Sequence, residues 1–167
     1  MLLLTAVASA TDLRRQKIYN WTTYPGMLAG FALNAAAGGW PATEDALWGF
    51  LTCGGVMLTC FVFFPDLGGG DVKLIAMLGA GLGLDDGILV MLWTFVIGFV
   101  AGLAMLIWKV GALPLLKRAA QTAREVIVLR GRIAPADPQA PIRRWLYLAP
   151  AALAAVIIVR WESLWPA

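Results

Sequence analysis

The chain has 167 residues, 60% of them hydrophobic and only 14% charged, with a mean hydropathy of +0.78 and a formal net charge of +3. A soluble domain of this length needs more polar surface to cover its core, so 1–167 reads as one membrane-embedded domain with no separate soluble domain. The absence of histidine excludes Ser-His, Cys-His and His-ligated metal sites.

Six apolar runs follow one another at 1–11, 21–37, 46–64, 72–84, 87–108 and 145–161. Several approach the roughly 20 residues that cross a bilayer of about 30 Å, which predicts an all-α, polytopic integral membrane bundle of about six transmembrane segments. The first run ends in Ala8-Ser9-Ala10, as a signal peptide would, but has no basic n-region. It reads better as a first membrane helix ending near Asp12. At about 1.5 Å per residue it reaches about 16 Å, so it is a half-span or continues upstream of Met1. Glu44-Asp45 before the third run and Asp85-Asp86 before the fifth read as helix N-terminal caps. Cys53 and Cys60 lie seven apart in one apolar run, on one helix face but two turns apart, and are expected to pack rather than to bridge. Asp66 reads as a turn residue. The fourth run is short and rich in glycine. Residues 109–144 form a basic connection. Within it, 113–132 alternates apolar residues with Lys117, Arg118, Arg124 and Arg130, a pattern that suits an amphipathic helix on an anionic leaflet or a solvated positive-inside loop better than a nucleic-acid site. Residues 134–141 are a proline-rich linker into the last membrane helix, 145–161.

Charge sorts the connections by side. The first, third and fifth, with Lys73 just beyond, hold twelve of the thirteen basic residues against five acids. The other side holds Arg160 against Glu44, Asp45, Asp85, Asp86 and Glu162. Retained lysine and arginine mark the cytoplasmic side, which places Asp12 and Asp71 together on it.

Carboxylates at the edge of membrane segments are costly and usually functional. Asp71 alone could cap the helix that follows it. Three glycines precede it, and glycine permits positive φ and leaves room for an extended backbone to approach the carboxylate. Two carboxylates in one site share a proton and activate water, which is aspartic-protease chemistry.

Asp12-Leu-Arg-Arg-Gln-Lys17-Ile18-Tyr19-Asn20 together with Gly68-Gly69-Gly70-Asp71-Val72-Lys73-Leu74 resembles the type IV prepilin peptidase family over about residues 1–110. That family carries a first aspartate followed by a basic residue, isoleucine and Pro-Asn, and a second in a Gly-x-Gly-Asp motif. The departure is Tyr19, where the family usually has proline. The resemblance implies that Asp12 and Asp71 are the catalytic pair, with Gly68, Gly70, Lys17, Asn20 and Lys73 on the substrate side. It implies a multi-pass enzyme of the bacterial inner membrane that cuts the short basic leader from prepilins at the cytoplasmic face. The short form resembles the peptidases of tight-adherence (Flp-type) pili. No cytoplasmic domain with paired cysteines is present to support N-methylation, and the pair needs no metal or organic cofactor.

Two other classes compete. Intramembrane acids also relay protons or cations in transporters, but relay acids lie mid-helix. A non-catalytic scaffold of a pilus or secretion machine has no need of two intact carboxylates.

Overall fold

The computed structural model describes residues 2–15, 18–63, 68–111 and 148–161. They form five α-helices and, among the described residues, no strand: α1 (Leu2–Arg15), α2 (Asn20–Phe63), α3 (Gly69–Leu82), α4 (Leu84–Val110) and α5 (Leu148–Val159). Two helices, Asn20–Phe63 and Leu84–Trp108, are long and apolar enough to cross a membrane, and Leu148–Val159 is a shorter apolar helix. Lys17, Asp66, the amphipathic stretch 113–132 and the linker 134–141 lie outside the described residues.

The chain divides into two compact units, residues 1–98 with 147–167, and residues 99–146. Of the second, residues 99–111 are described. They continue α4 as an apolar helix with Phe99 and Trp108 exposed, and end it at Gly111, whose positive φ and N–H bond to the Ile107 carbonyl close the last turn. The other elements belong to the first unit.

Within it, α2 is two legs rather than one rod. Gly39 has φ 63° and ψ −144°, outside helical geometry. The rings of Phe31 and Phe50 meet edge to face at 5.8 Å, although 19 residues of straight helix would separate them by about 28 Å. The chain therefore reverses at Gly39. Pro41 falls in the first turn after the reversal, where its missing N–H and fixed φ cost nothing. This corrects one expectation: helix resumes directly after Gly39, and Glu44-Asp45 lie inside the second leg instead of capping it.

Helix α3 packs along both legs. Lys73 meets Asn20 at the start of the first leg, while Asn34 further along it donates to the carbonyls of Ala80 and Gly81 at 3.2 and 3.4 Å. The second leg runs the opposite way: Gly49 lies against Gly79 and Gly83, Gly54 against Ala76, and Phe61 against Gly69. Met57, Leu74, Ile75, Met77, Leu78 and Val90 fill the core between them. A side chain at Gly49 or Gly79 would collide with the other's backbone carbonyl. Glycine is thus what allows the helices this approach. Cys53 is buried in that junction, and both cysteines are free.

A single residue, Gly83 (φ 85°), turns α3 into α4. Asp45 accepts the Leu84 N–H at 3.3 Å, so it caps α4 and not its own leg. Asp85 and Asp86 occupy the first turn of α4, and Asp86 pairs with Arg160 at 3.2 Å just beyond α5. At its other end α5 packs Leu148 toward Gly98 and brings Ala149 to Asp12. One end of the unit therefore gathers Asp12, Asn20, Gly68–Lys73 and Ala149. The opposite end gathers Asp45, Gly83–Asp86 and Arg160.

Candidate active site

The first carboxylate is placed by α1. Thr5, Ala8, Ser9 and Asp12 are its buried face, at spacings of three and four that align along one side of a helix. Asp12 is 8% exposed and sits in the last turn of α1, where the helix dipole is unfavourable to an anion. Its Oδ2 accepts the backbone N–H of Ala149 at 3.4 Å, from the first turn of α5.

The second carboxylate is placed by the glycines. Gly68 is the N-cap of α3, with φ −77° and ψ 134°, and Asp71 is the third residue of the helix. The Asp71 N–H bonds the Gly68 carbonyl at 3.0 Å, and a backbone hydrogen bond from Gly68 reaches the Asp71 carboxylate. This is half of a capping box, with the acidic side chain satisfying the N-cap amide. The expected use of positive φ is not found at Gly68; among the described residues only Gly39, Gly83 and Gly111 have it. What the motif uses is missing bulk. A Cβ on Gly68 would stand 3.0 Å from Asp71 Oδ2, and one on Gly70 would stand 3.0 Å from Ile18 Cβ. The middle glycine has nothing nearer than Phe61, at 4.0 Å.

Asp12, Asp71, Gly68, Gly70 and Asn20 border one cavity of about 340 Å³, with Ile18 and Tyr19 completing its wall. Lys73 is not part of that lining. Its ammonium donates to Asn20 Oδ1 at 2.8 Å and lies 5.0 Å from the centre of the Tyr24 ring, tying α3 to the start of α2. Among the described residues no group of histidine, cysteine, aspartate and glutamate could hold a metal.

Both carboxylates lie at the ends of their apolar runs, and both titrate above the ordinary range. Burial pushes Asp71 up to about 6; the nearby Asp12 charge adds to this and the Gly68 bond opposes it. Burial also raises Asp12, and the Ala149 N–H works against that rise. Asp71 is the more solvent-exposed of the two, yet more of the protein surrounds it. The starts of α2, α3 and α5 all meet here, and three helix N-termini favour negative charge. The arrangement can hold one proton between two carboxylates beside a cavity roomy enough for water.

A model of the type IV leader peptidase family matches residues 1–103. The chain belongs to that family. It is a peptidase on that ground, and the matched span contains both aspartates and every described residue of the cavity wall. No curated protein and no solved structure matches the chain. Of the contacts around the pair, sequence reasoning missed Ile18 and Ala149. Ile18 could have been suspected from its place between Lys17 and Asn20. Ala149, an alanine 137 positions from its partner, carries no signal in sequence.

Proposed function

We propose that this leader peptidase is an aspartic endopeptidase in which Asp12 and Asp71 form the catalytic pair, acting on type IV or Flp-type prepilins at the cytoplasmic face of the bacterial inner membrane. The observation that carries the reading is the shared cavity: two carboxylates from helices 59 positions apart in sequence border one space and feel each other's charge.

The ionised carboxylate takes a proton from water as the water oxygen attacks the scissile carbonyl. The protonated carboxylate donates its proton to the carbonyl oxygen, giving a neutral gem-diol. The proton taken from water then passes to the leaving nitrogen while the second carboxylate takes a proton back from a gem-diol hydroxyl. The C–N bond breaks to give the acid and the amine, and the pair again holds one proton. The pair shares its titration, so its two apparent pKa values belong to it jointly. Gly68, Gly70, Asn20, Lys17 and Lys73 are assigned to the substrate side, Lys73 through Asn20. Counting the two legs of α2 separately, the described helices number six, which favours the six-segment topology drawn from the charge distribution. No N-methylation is expected.

The test is co-expression with candidate prepilins, scored by leader removal on a gel, for wild type beside Asp12→Asn and Asp71→Asn. Cleavage by wild type and by neither variant is the expected result. Cleavage that survives either substitution removes the pair from the mechanism.

A further inference from the structure

The match to the leader peptidase family ends at residue 103, yet the Asp12 carboxylate is held by residue 149. We propose that α5 is part of the active site, its Ala149 N–H fixing Asp12 as the ionised member of the pair and leaving Asp71 to carry the shared proton.

Three observations converge on this. Asp12 Oδ2 accepts from Ala149, which is fully buried beside a nearly buried Leu148, so the donor itself is shielded from bulk water. Asp12 lies at the C-terminal end of α1, which disfavours its charge, and the N-terminal end of α5 meets it with the opposite sign. The start of α5 is anchored: Leu148, Ala149, Ala151, Ala152, Ala155 and Val156 are all buried. The donor therefore keeps its place when the carboxylate changes protonation. Among the described residues, the other charged or titratable groups do not supply this contact. Asp71 faces Asp12 across the cavity from α3, and Tyr19 borders the cavity ahead of α2. Lys73 is turned to Asn20 and Tyr24. Arg14, on α1 itself, is exposed, and α5 has no titratable residue along its length. Ala149 is thus a positioning residue that acts through its backbone N–H.

The inference rests on the proposed function for its meaning, and the experiment separates the two. The full chain is reconstituted in nanodiscs with the Leu148–Ala149 amide replaced by an ester, which deletes the N–H and keeps the side chain. Ala149→Pro deletes it a second way at a first-turn position that accepts proline, and Ala149→Gly, which retains it, is the control. Protonated carboxylates are labelled with a small carbodiimide across pH, and Asp12 is read by peptide mass spectrometry. Loss of a hydrogen bond to a charged group is worth about one to two pH units in its titration. The ester and proline forms are expected to raise the Asp12 midpoint by that amount, and Ala149→Gly to leave it in place. The acidic limb of prepilin cleavage should move with the midpoint, costing about tenfold in rate for each pH unit below it. An Asp12 midpoint unmoved in both forms overturns the inference, whether or not cleavage falls, since a packing role alone changes rate without changing titration. A wild type that cleaves no prepilin overturns the proposed function instead, and the labelling still reads the contact.

Discussion

The two ends of the first unit use the same residue types for opposite purposes. At the cavity end, Gly68 and Gly70 keep bulk away from Asp71 and Ile18, and the carboxylates, Asp12 buried and Asp71 half-buried, have a single backbone donor each. At the far end, Gly49 and Gly79 bring backbone against backbone, Gly83 supplies a positive φ, and the acids Asp45 and Asp86 serve as a helix cap and a half-exposed ion pair. A glycine or aspartate is therefore read by what its missing or present atoms would touch. The cavity end keeps charge poorly solvated, which chemistry needs, and the far end supplies the packing that tolerates it.

The largest effect expected from breaking this contrast is at Asp71. Its pKa in the fold stands at about 6 against 3.8 for the free group. A carboxyl raised on folding contributes stability below its unfolded pKa and loses it as pH climbs through the folded value, so Asp71 burdens the fold above about pH 6. Raising a carboxyl by one pH unit corresponds to about 1.4 kcal/mol, and to less here because the side chain is partly exposed. Asp71→Asn should abolish cleavage and yet melt higher than wild type at pH 8, with the difference gone near pH 4. Equal melting temperatures at both pH values would show that the charge is not held at such a cost.

Next comes the far end. Gly79→Ala places a methyl against the Gly49 carbonyl, and Gly49→Ala places one against the carbonyls of Gly79 and Gly83. Backbone cannot swing aside as a side chain does, and overpacking of this kind costs about 1–3 kcal/mol or more. Both variants should lose thermal stability and folded yield. Gly26→Ala meets chiefly the flexible Met77 side chain and should lose less. If Gly26→Ala proves the worst of the three, the helices are not in contact at Gly49 and Gly79.

Smaller still, and confined to function, is the effect inside the triple glycine. Gly68→Ala crowds Asp71 Oδ2 and Gly70→Ala crowds Ile18, and a displacement of a few tenths of an ångström should lower cleavage about tenfold. Gly69→Ala meets only Phe61 at 4.0 Å and gains helix propensity at the first position of α3, so it should cleave as wild type does. Equal losses at all three positions would mean that the chain needs backbone freedom there and not space.

This spread of roles also shows what sequence can carry. That Asp12 and Asp71 border one cavity was legible because each sits at the end of an apolar run, and the positive-inside reading assigns those ends to one side. The all-helical fold was legible from the same runs. Residues 38–45 were not: Gly-Gly, Trp, Pro and paired acids have the composition of a loop, but the whole reversal is absorbed at Gly39 and helix resumes immediately. Asp45 was recognised as a cap and assigned to the wrong helix, because capping across 39 positions depends on packing and not on local spacing. Of the two properties expected of the glycine motif, missing bulk is used and positive φ is not. Ala149 was silent, since a backbone N–H is common to every residue but proline.

The smallest predicted effect concerns the link between the two ends. Helix α5 starts at the cavity beside Asp12 and is followed at the far end by Arg160, paired to Asp86 with side chains 44% and 37% exposed. A pair this open is worth about 0.2–1 kcal/mol and weakens with salt. Arg160→Ala should therefore shift melting only slightly, by less in 0.5 M salt than in low salt, and leave both cleavage and the Asp12 titration unchanged. The buried face of α5, from Leu148 to Val156, already fixes the helix between the two ends without the ion pair. Should Arg160→Ala raise the Asp12 midpoint, that face is too weak an anchor, and the position of the Ala149 N–H depends on tension applied about 16 Å away along the helix.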